Sequence, residues 1–297
     1  MTERKSLRHR IEAGELVVAP GAYDPISARL IQNAGFDAVY IGGYATSAAF
    51  GMQPDLGLLS FAEMLDHASR CASATMLPVI ADADTGYGGI PSVQRTVRAY
   101  EAAGIAGIHI EDQVSPKRCG HVAGKVVLPA EEMARKIAAA VEARESAEFL
   151  IIARTDARAI TGFDDAVRRA RLFREAGADV LFIDAPESVD EIISIPSAVG
   201  APVLFNAAPT GKAPLPPIPE LRRAGFSIVI YPVQLMWVAY RAVQEALETL
   251  KATEDPDALA DRAASFGEFN DFVGMTRLMQ EDERFGAMFA AREGTVR

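Results

Sequence analysis

Short apolar runs alternate with amphipathic stretches along most of the chain. Four of these runs follow an Ala-Gly pair, in the segments 34–41, 103–110, 176–183 and 224–231. Glycine can adopt the left-handed backbone conformation that closes a helix, and an uninterrupted apolar run suits a strand covered on both faces. Each segment therefore predicts the end of a helix followed by a buried strand.

Four further apolar runs complete a predicted set of eight strands; they lie at residues 16–19, 79–81, 150–153 and 203–205. Helical periodicity appears between the strands, as at residues 92–103, 130–144, 163–176 and 235–250. Alternating strands and helices predict a parallel sheet with right-handed crossovers. Eight such units favour an α/β fold of the closed (β/α)8 TIM-barrel type over an open doubly wound sheet, and no Gly-x-Gly-x-x-Gly follows the first strand to indicate dinucleotide binding.

One domain is expected over residues 1–297, because no low-complexity linker and no shift in composition divides the chain. Residues 252–297 follow the eighth helix and are expected to form a C-terminal helical extension, with helices at 256–262 and 269–283. The long irregular segment 112–128, after the fourth strand, is typical of a functional lid.

Charge and cysteine content narrow the range of partners. The chain has 40 acidic and 30 basic residues, a net charge of −10, and no run of Lys or Arg. We therefore expect neither nucleic acid nor a membrane as a partner. The charged N-terminus, the absence of ~20 uninterrupted apolar residues and the presence of only two cysteines predict a soluble cytoplasmic protein.

Acidic side chains stand at the predicted carboxyl ends of several strands, where parallel barrels build their active sites. They are Asp82, Asp84, Glu111 and Asp184. So much negative charge around one mouth is unfavourable without a cation, and oxygen ligands suit Mg²⁺ or Mn²⁺. The alternative is that Asp82 and Asp84 cap the turn and helix that follow them.

The segment 117–121, Lys-Arg-Cys-Gly-His, surrounds Cys119 with cationic groups. Such neighbours lower a thiol pKa, which favours proton transfer or attack by Cys119 over the role of a buried apolar residue. Cys71 is interpreted as buried, His109 as a core residue, and His67 as a surface residue. His121 is a candidate general acid or substrate hydrogen-bond donor.

Arg154 directly follows the fifth apolar run, so its guanidinium is expected at the mouth of the barrel. Its planar fork suits bidentate capture of a carboxylate. A salt bridge to one of the neighbouring acids is the alternative.

In this order, these residues resemble the isocitrate lyase and phosphoenolpyruvate mutase superfamily, from Gly-Ala-Tyr-Asp at 21–24 to Phe-Gly-Glu-Phe-Asn at 266–270. Segment 117–121 is similar to the Lys-Lys/Arg-Cys-Gly-His signature of the family's carbon–carbon lyases, whereas the mutases lack the cysteine. The resemblance implies a metal site in which Asp84 is the main ligand and the other acids act through metal-bound waters; these are Asp82, Asp55, Glu111 and Asp184.

The same resemblance implies the substrate site. Backbone N–H groups at Gly42, Gly43 and Tyr44, helped by Arg154, would hold a carboxylate, and Asn206 would contact the distal part of the substrate. The gating loop would carry Lys117, Cys119, Gly120 and His121. The family fold further implies a homotetramer in which the last helices swap between subunits.

Three departures from the family pattern are evident. Glycine occupies position 42, where a serine is usual, and Asp184 replaces a glutamate. After Asn206, the run Ala-Ala-Pro-Thr-Gly at 207–211 lacks the acid that is found there in typical methylisocitrate lyases.

The resulting hypothesis is Mg²⁺-dependent cleavage of a 2-hydroxy di- or tricarboxylate, of the 2-methylisocitrate or 2,3-dialkylmalate type, which releases a 2-oxo acid such as pyruvate. Cys119 would protonate the enolate, and Tyr40 is a candidate base. The alternatives within enzymes are an oxaloacetate decarboxylase or hydrolase and a phosphonopyruvate-type phosphonomutase. The alternative outside catalysis is a family member that only binds a small dicarboxylate.

Overall fold

Eight short parallel strands form the centre of the fold in the computed structural model, which describes residues 6–120 and 124–293, with side chains as far as residue 289. The strands are β1 Val17–Pro20, β2 Val39–Ile41, β3 Val79–Asp82, β4 Gly107–Glu111, β5 Leu150–Thr155, β6 Val180–Ile183, β7 Leu204–Asn206 and β8 Ile228–Tyr231.

The strands pair in two parallel sheets, in the orders β2-β3-β4-β5-β6 and β1-β8-β7. Single parallel bridges join the sheets, between Gly21 and Tyr40 on one side and between Leu181 and Val203 on the other. Each strand therefore has two parallel neighbours, and the predicted barrel is confirmed.

Helices connect and follow the strands. They are α1 Leu7–Glu12, α2 Pro25–Asn33, α3 Gly43–Gly51, α4 Phe61–Ser73, α5 Ile90–Ala102, α6 Ala130–Ala143, α7 Arg158–Thr161, α8 Phe163–Glu175, α9 Val189–Val199, α10 Ile218–Ala224, α11 Gln234–Thr253, α12 Phe266–Val273 and α13 Met275–Glu293. No helix in the described part of the chain is long and apolar enough to cross a bilayer.

Alternation along the strands decides which side chains enter the barrel. In β5, Leu150 and Ile152 belong to the apolar cluster inside the barrel, whereas Ile151 and Ala153 belong to the cluster that packs with the surrounding helices. Because successive side chains of a strand point to opposite faces, the next inward position after Ile152 is Arg154. By the same alternation, the side chains of five residues at or near the ends of other strands also point into the barrel: Asp82, His109, Glu111, Asp184 and Asn206.

The chain forms two compact units, Met1–Val238 and Ala239–Arg297. In the second unit, the predicted helix at 256–262 is wrong, because this segment forms turns. A segment of seven residues is too short to be helical without strong packing support. The predicted helix at 269–283 is two helices, since Gly274 has φ 92° and ends α12 in the left-handed conformation. The assignment of residues 1–297 to one domain stays a prediction.

The described parts of the segment 112–128, residues 112–120 and 124–128, are irregular, as predicted, and an antiparallel bridge joins Gln113 and Val127. His67 is a correction: it was interpreted as a surface residue but is buried in α4, where its ring packs edge-on against Phe50 at 5.8 Å. Cys71, one turn further along α4, is buried as predicted.

Candidate active site

A cavity of about 230 Å³ opens where the strands end. The residues that line it lie at the end of, or after, seven of the eight strands; they are Tyr40, Gly42, Gly43, Tyr44, Ala45, Asp55, Asp82, Lys117, Cys119, Gly120, Arg154, Asp184, Asn206, Ala208, Thr210, Pro232, Val233 and Trp237. Among the predicted site residues that the structure describes, only Asp84 and Glu111 do not line this cavity. His121 lies outside the described residues.

Lys117 places a buried ammonium among the predicted metal ligands. Its Nζ lies 2.5 Å from Asp55 Oδ1 and 2.9 Å from Asp84 Oδ1. Burial by itself would lower the pKa of Lys117, but the charges of Asp84 and the other acids raise that pKa well above its ordinary value. Lys117 therefore stays charged and offsets part of the acidic excess.

Asp82 engages both of its oxygens with backbone donors. Asp84 N–H donates to Oδ1 at 2.8 Å, and Gly43 N–H donates to Oδ2 at 3.0 Å. Asp82 thus holds the turn that follows β3, in part as the alternative interpretation expected. The pKa of Asp82 is lowered although burial would raise it, because His109, Lys117 and Arg154 lie near.

Asp84 and Glu111 lie behind the cavity wall with oxygens that have no hydrogen-bond partner among the described residues. These atoms are Asp84 Oδ1, which contacts Lys117 outside hydrogen-bond geometry, and Glu111 Oε1. Burial raises the pKa of Asp84 to about 6 and the pKa of Glu111 well above its ordinary value. Asp84 also has φ 47°, a conformation uncommon outside glycine that recurs at functional sites.

Arg154 is enclosed by acids, as its alternative interpretation expected. Its Nε lies 2.9 Å from Asp156 Oδ2 and 3.3 Å from Glu111 Oε2, and its Nη2 lies 2.9 Å from Asp184 Oδ2. Its Nη1 has no hydrogen-bond partner among the described residues. The guanidinium is therefore held rigidly while one nitrogen remains available to a ligand.

The acids around Arg154 are themselves positioned by neighbours. Asn206 Nδ2 donates to Asp184 Oδ1 at 3.2 Å. Asp112, which faces the helices, accepts hydrogen bonds from Asp156 N–H at 2.9 Å and from Thr155 Oγ1 at 2.7 Å. Such supporting bonds fix the direction of groups that contact a ligand.

Tyr40, the candidate base, contacts a buried histidine. Its hydroxyl lies 2.9 Å from His109 Nε2, and burial, reinforced by the charge of Asp82, raises the pKa of Tyr40 well above its ordinary value. Burial lowers the pKa of His109 to about 4, so the ring is neutral and its Nε2 can accept the phenol proton as a hydrogen bond. Both effects favour the protonated phenol, and the role of Tyr40 as the base stays a prediction.

Glycines at two positions allow the close approach of backbone to charged side chains. A Cβ at Gly43 would lie 2.7 Å from Asp82 Oδ2 and 3.2 Å from Lys117 Nζ. A Cβ at Gly120 would overlap the side chains of Asp184 and Arg154. A residue with a side chain would therefore displace the charged groups at either position.

The N-terminus of α3 points donors into the cavity. Gly42 provides no side-chain cap, and the N–H groups of Tyr44 and Ala45 have no partner among the described residues. Free N–H groups in the first turn of a helix favour an anion. Glycine at position 42 leaves room for the Tyr40 ring, because a Cβ there would lie 2.9 Å from its Cε1 atom.

Cys119 and Gly120 reach the cavity on the segment after β4. Asp55 O accepts a hydrogen bond from Cys119 N–H at 3.1 Å, and the Cys119 side chain is half-buried. Lys125, further along this segment, donates from Nζ to Gly120 O and to Asp156 Oδ1, the latter at 2.8 Å. Lys125 therefore ties the cysteine-bearing segment to the Arg154 network.

The donor atoms fit a hard divalent ion held mainly through water. No three Asp, Glu, His or Cys side chains in the described part of the chain converge as direct metal ligands. Mg²⁺, however, is usually bound by one or two carboxylates and keeps several waters. The unpartnered oxygens of Asp84 and Glu111 are buried anionic acceptors of the kind that such an ion and its waters require.

Sequence reasoning missed several cavity residues, among them Ala208, Val233 and Trp237. Ala208 follows β7 and Val233 follows β8, so the strand-end rule could have indicated both. Trp237 lies in the first turn of α11, where a large apolar residue is indistinguishable from one that packs in the core. Lys125 and His109 were also missed as partners of site residues.

Buried acids and two cations at the carboxyl ends of the strands of a (β/α)8 barrel are typical of an enzyme active site. The chain belongs to the phosphoenolpyruvate mutase and isocitrate lyase superfamily, since the family model described as phosphoenolpyruvate phosphomutase matches residues 7–251.

Relatives agree over almost the full length. The chain is 41% identical to 2,3-dimethylmalate lyase of Eubacterium barkeri over 96% of this chain and 99% of that protein. It is 43% identical to 2-methylisocitrate lyase of Aeropyrum pernix over 90% of this chain and 86% of that protein. Both names are those of lyases, which confirms the predicted enzyme class, a carbon–carbon lyase.

Solved structures show the same fold. A crystal structure of 2,3-dimethylmalate lyase superposes with a TM-score of 0.89 at 38% identity, covering 94% of each chain. A structure of oxaloacetate acetylhydrolase with 3,3-difluorooxalacetate gives 0.88 at 36% identity, covering 95% of this chain and 97% of that one. A phosphonopyruvate hydrolase complex with oxalate and Mg²⁺ gives 0.87 at 31% identity, covering 96% and 99%.

Proposed function

We propose that this protein cleaves the C2–C3 bond of a 2-hydroxy di- or tricarboxylate and releases a 2-oxo acid such as pyruvate. One observation carries the proposal: a thiol, Cys119, lines the same cavity as Arg154 and the acids Asp55, Asp82 and Asp184. A proton donor, an anion-binding group and a candidate metal site are the three elements that a retro-aldol type of cleavage requires. The named activities of the relatives support the same reaction type.

The carboxylate next to the reacting carbon is proposed to bind at the N-terminus of α3. The N–H groups of Tyr44 and Ala45 and Nη1 of Arg154 are the available donors there. Gly43 is not one of them in this structure, because its N–H donates to Asp82. Arg154 would bind the anion with its charge already oriented by Asp156 and Asp184.

Mg²⁺, or Mn²⁺ in its place, is proposed as the cofactor and would be held by Asp84, with Asp55, Asp82, Glu111 and Asp184 acting through waters. When bound, the ion supplies a Lewis acid that stabilises negative charge on the oxygens of the 2-oxo acid. The proposal rests on the unpartnered oxygens of Asp84 and Glu111 and on the Mg²⁺ present in the related phosphonopyruvate hydrolase. Lys117 would then balance the remaining acids.

The reaction balances with the groups of this site. A base removes the C2 hydroxyl proton, the C2–C3 bond breaks as the C2=O bond forms, and the bonding electrons pass to C3. The Cys119 thiol then donates its proton to C3, which gives the released carboxylic acid. We propose a carboxylate of the site as the base in place of the Tyr40 phenol, whose pKa burial raises well above its ordinary value.

Proton NMR of the purified protein with Mg²⁺ tests this function. Separate samples contain 2,3-dimethylmalate, 2-methylisocitrate, oxaloacetate or phosphonopyruvate. Appearance of pyruvate from either branched hydroxy acid is the expected result. Turnover of oxaloacetate or phosphonopyruvate alone would assign to this protein a different activity of the superfamily. Ligand binding without turnover would indicate a carboxylate-binding protein.

Assembly into a homotetramer with exchanged C-terminal helices is proposed as well. In the second unit, α12 and α13 expose large apolar side chains, including Phe266, Leu278, Met279, Phe285 and Phe289. Monomers rarely leave so many apolar groups in water. Light scattering of the full chain is expected to give four times the monomer mass. Met279→Asp should lower this mass, whereas Gln280→Glu on the same helix should leave it unchanged. A monomeric wild-type protein would contradict the proposal.

A further inference from the structure

The mouth of the barrel is divided into a charged half and an apolar half. The charged groups that line it follow β3, β4, β5 and β6, which are consecutive strands of the five-stranded sheet, except for Asp55, which follows β2 and lies against Lys117. The other lining residues include Tyr44 after β2, Ala208 after β7, and Val233 and Trp237 after β8. We call Tyr44, Ala208, Val233 and Trp237 the apolar wall. Because β7, β8, β1 and β2 are neighbours around the barrel, these residues share one side of the opening.

Two aromatic rings form the centre of the apolar wall. Tyr44 and Trp237 meet edge to face, with ring centroids 6.3 Å apart and planes at 81°. Tyr44 is 38% exposed and Trp237 is half-buried, so both rings keep surface toward the cavity that they line. A partly exposed aromatic pair in a concave site offers apolar contact area without the loss of side-chain freedom that ordering a flexible group requires.

Charge complements this division. Lys117 and Arg154 are the cations among the described residues that line the cavity, and acids contact both of them. Neither follows a strand of the apolar side. A carboxylate placed against the side chains of the apolar wall, away from the backbone N–H groups at the start of α3, would lose water without gaining a cationic partner among the described residues, which is strongly unfavourable. An alkyl group at the same place would gain free energy from leaving water.

We infer that the apolar wall is the binding subsite for an uncharged hydrophobic substituent of the substrate, and that Trp237 determines how long this substituent can be. The inference rests on the proposed function and narrows it: the substrate is a dicarboxylate with an alkyl or aryl branch, and a tricarboxylate is disfavoured. Trp237 is thereby a specificity-determining residue, distinct from the groups that act at the reacting carbons.

Trp237 also provides a direct readout, because it is the only tryptophan of the chain. The test uses the full chain with Mg²⁺ and a series of alkylmalates whose branch grows from methyl to butyl. Tryptophan emission gives the dissociation constants of the wild type, calorimetric titration gives those of the wild type and every variant, and the rate of 2-oxo acid release gives kcat/KM. As the branch lengthens, the dissociation constant is expected to fall and kcat/KM to rise, each by about fourfold for each methylene that becomes buried.

Three variants separate the possible causes. Trp237→Ala is expected to remove most of the dependence of kcat/KM on branch length, and Trp237→Phe to retain much of it. Leu235→Ala removes an apolar side chain from the same turn of α11 that does not line the cavity, and should keep the wild-type dependence. In addition, 2-methylisocitrate should react with a kcat/KM on the order of tenfold or more below that of 2,3-dimethylmalate, because the described residues of the apolar wall offer its third carboxylate no cation.

The two proposals can fail separately. Turnover with equal kcat/KM for every branch length, or a preference for the tricarboxylate, overturns the subsite while the lyase function stands. Binding that strengthens with branch length in wild type but not in Trp237→Ala, without any turnover, supports the subsite and overturns the lyase function.

Discussion

Replacing Cys119 with serine is expected to lower kcat by about 10²- to 10⁴-fold, which is the usual contribution of a positioned proton donor. A hydroxyl is a much weaker acid than a thiol, so the carbanion at C3 would wait for a proton from water. Substrate binding should change little, because the anion-binding donors belong to α3 and Arg154. Steady-state kinetics together with a titration of a non-cleaved dicarboxylate measures both quantities.

The second cysteine provides the matched control. Cys71 is fully buried in α4, where burial raises the pKa of its thiol to about 12, and it does not line the cavity. Cys71→Ala should therefore leave kcat near the wild-type value. A Cys119→Ser protein that turns over at a near-normal rate would remove this residue from the chemistry.

Removal of divalent metal with EDTA is expected to abolish turnover, and added Mg²⁺ or Mn²⁺ to restore it. The reason is electrostatic. Without a divalent cation, the negative charge that develops on the substrate oxygens would lie next to several carboxylates, and only Lys117 and Arg154 would offset it among the described residues. Asp84→Asn should weaken the metal in a calorimetric titration, whereas Asp190→Asn, an exposed acid on α9, should not. Full activity of the EDTA-treated protein would exclude the acid cluster from a metal-dependent mechanism.

The same titration has a defined pH dependence. In the metal-free protein, burial raises the pKa of Asp84 to about 6, so the carboxyl takes up a proton as the pH falls through that value. A protonated carboxyl does not bind a cation. Metal affinity should therefore be constant well above pH 6 and fall below it by up to about tenfold per pH unit for each proton displaced. An affinity that rises toward low pH would contradict the assignment of Asp84.

The barrel and most of the site residues could be predicted from sequence because both depend on local periodicity. Uninterrupted apolar runs indicate strands covered on both faces, and the two-residue period then carries Arg154 and Asp184 inward from the strands that precede them. The acid excess at the strand ends could be recognised without knowing any distance.

Other features depend on contacts that no local pattern contains. Trp237 on α11 reads as one more apolar position of an amphipathic helix, and only the fold brings it to Tyr44, far away in the sequence. The contact of the Tyr40 hydroxyl with His109 likewise joins residues far apart in the sequence. The helices of the second unit depend on Gly274, whose left-handed conformation ends α12 within what looks like one amphipathic segment.

The two single bridges that close the barrel, Gly21 with Tyr40 and Leu181 with Val203, also have a bearing on how the opening can change. Both lie where the five-stranded sheet meets the three-stranded sheet, and so few backbone hydrogen bonds resist separation there. The charged groups after β3 to β6 follow strands that are joined by one continuous ladder, whereas β7 and β8, which carry Ala208, Val233 and Trp237 beyond their ends, belong to the other sheet. A wider separation of the two sheets at these bridges would enlarge the space for a substrate's branch and leave the contacts between the ion-paired groups unchanged.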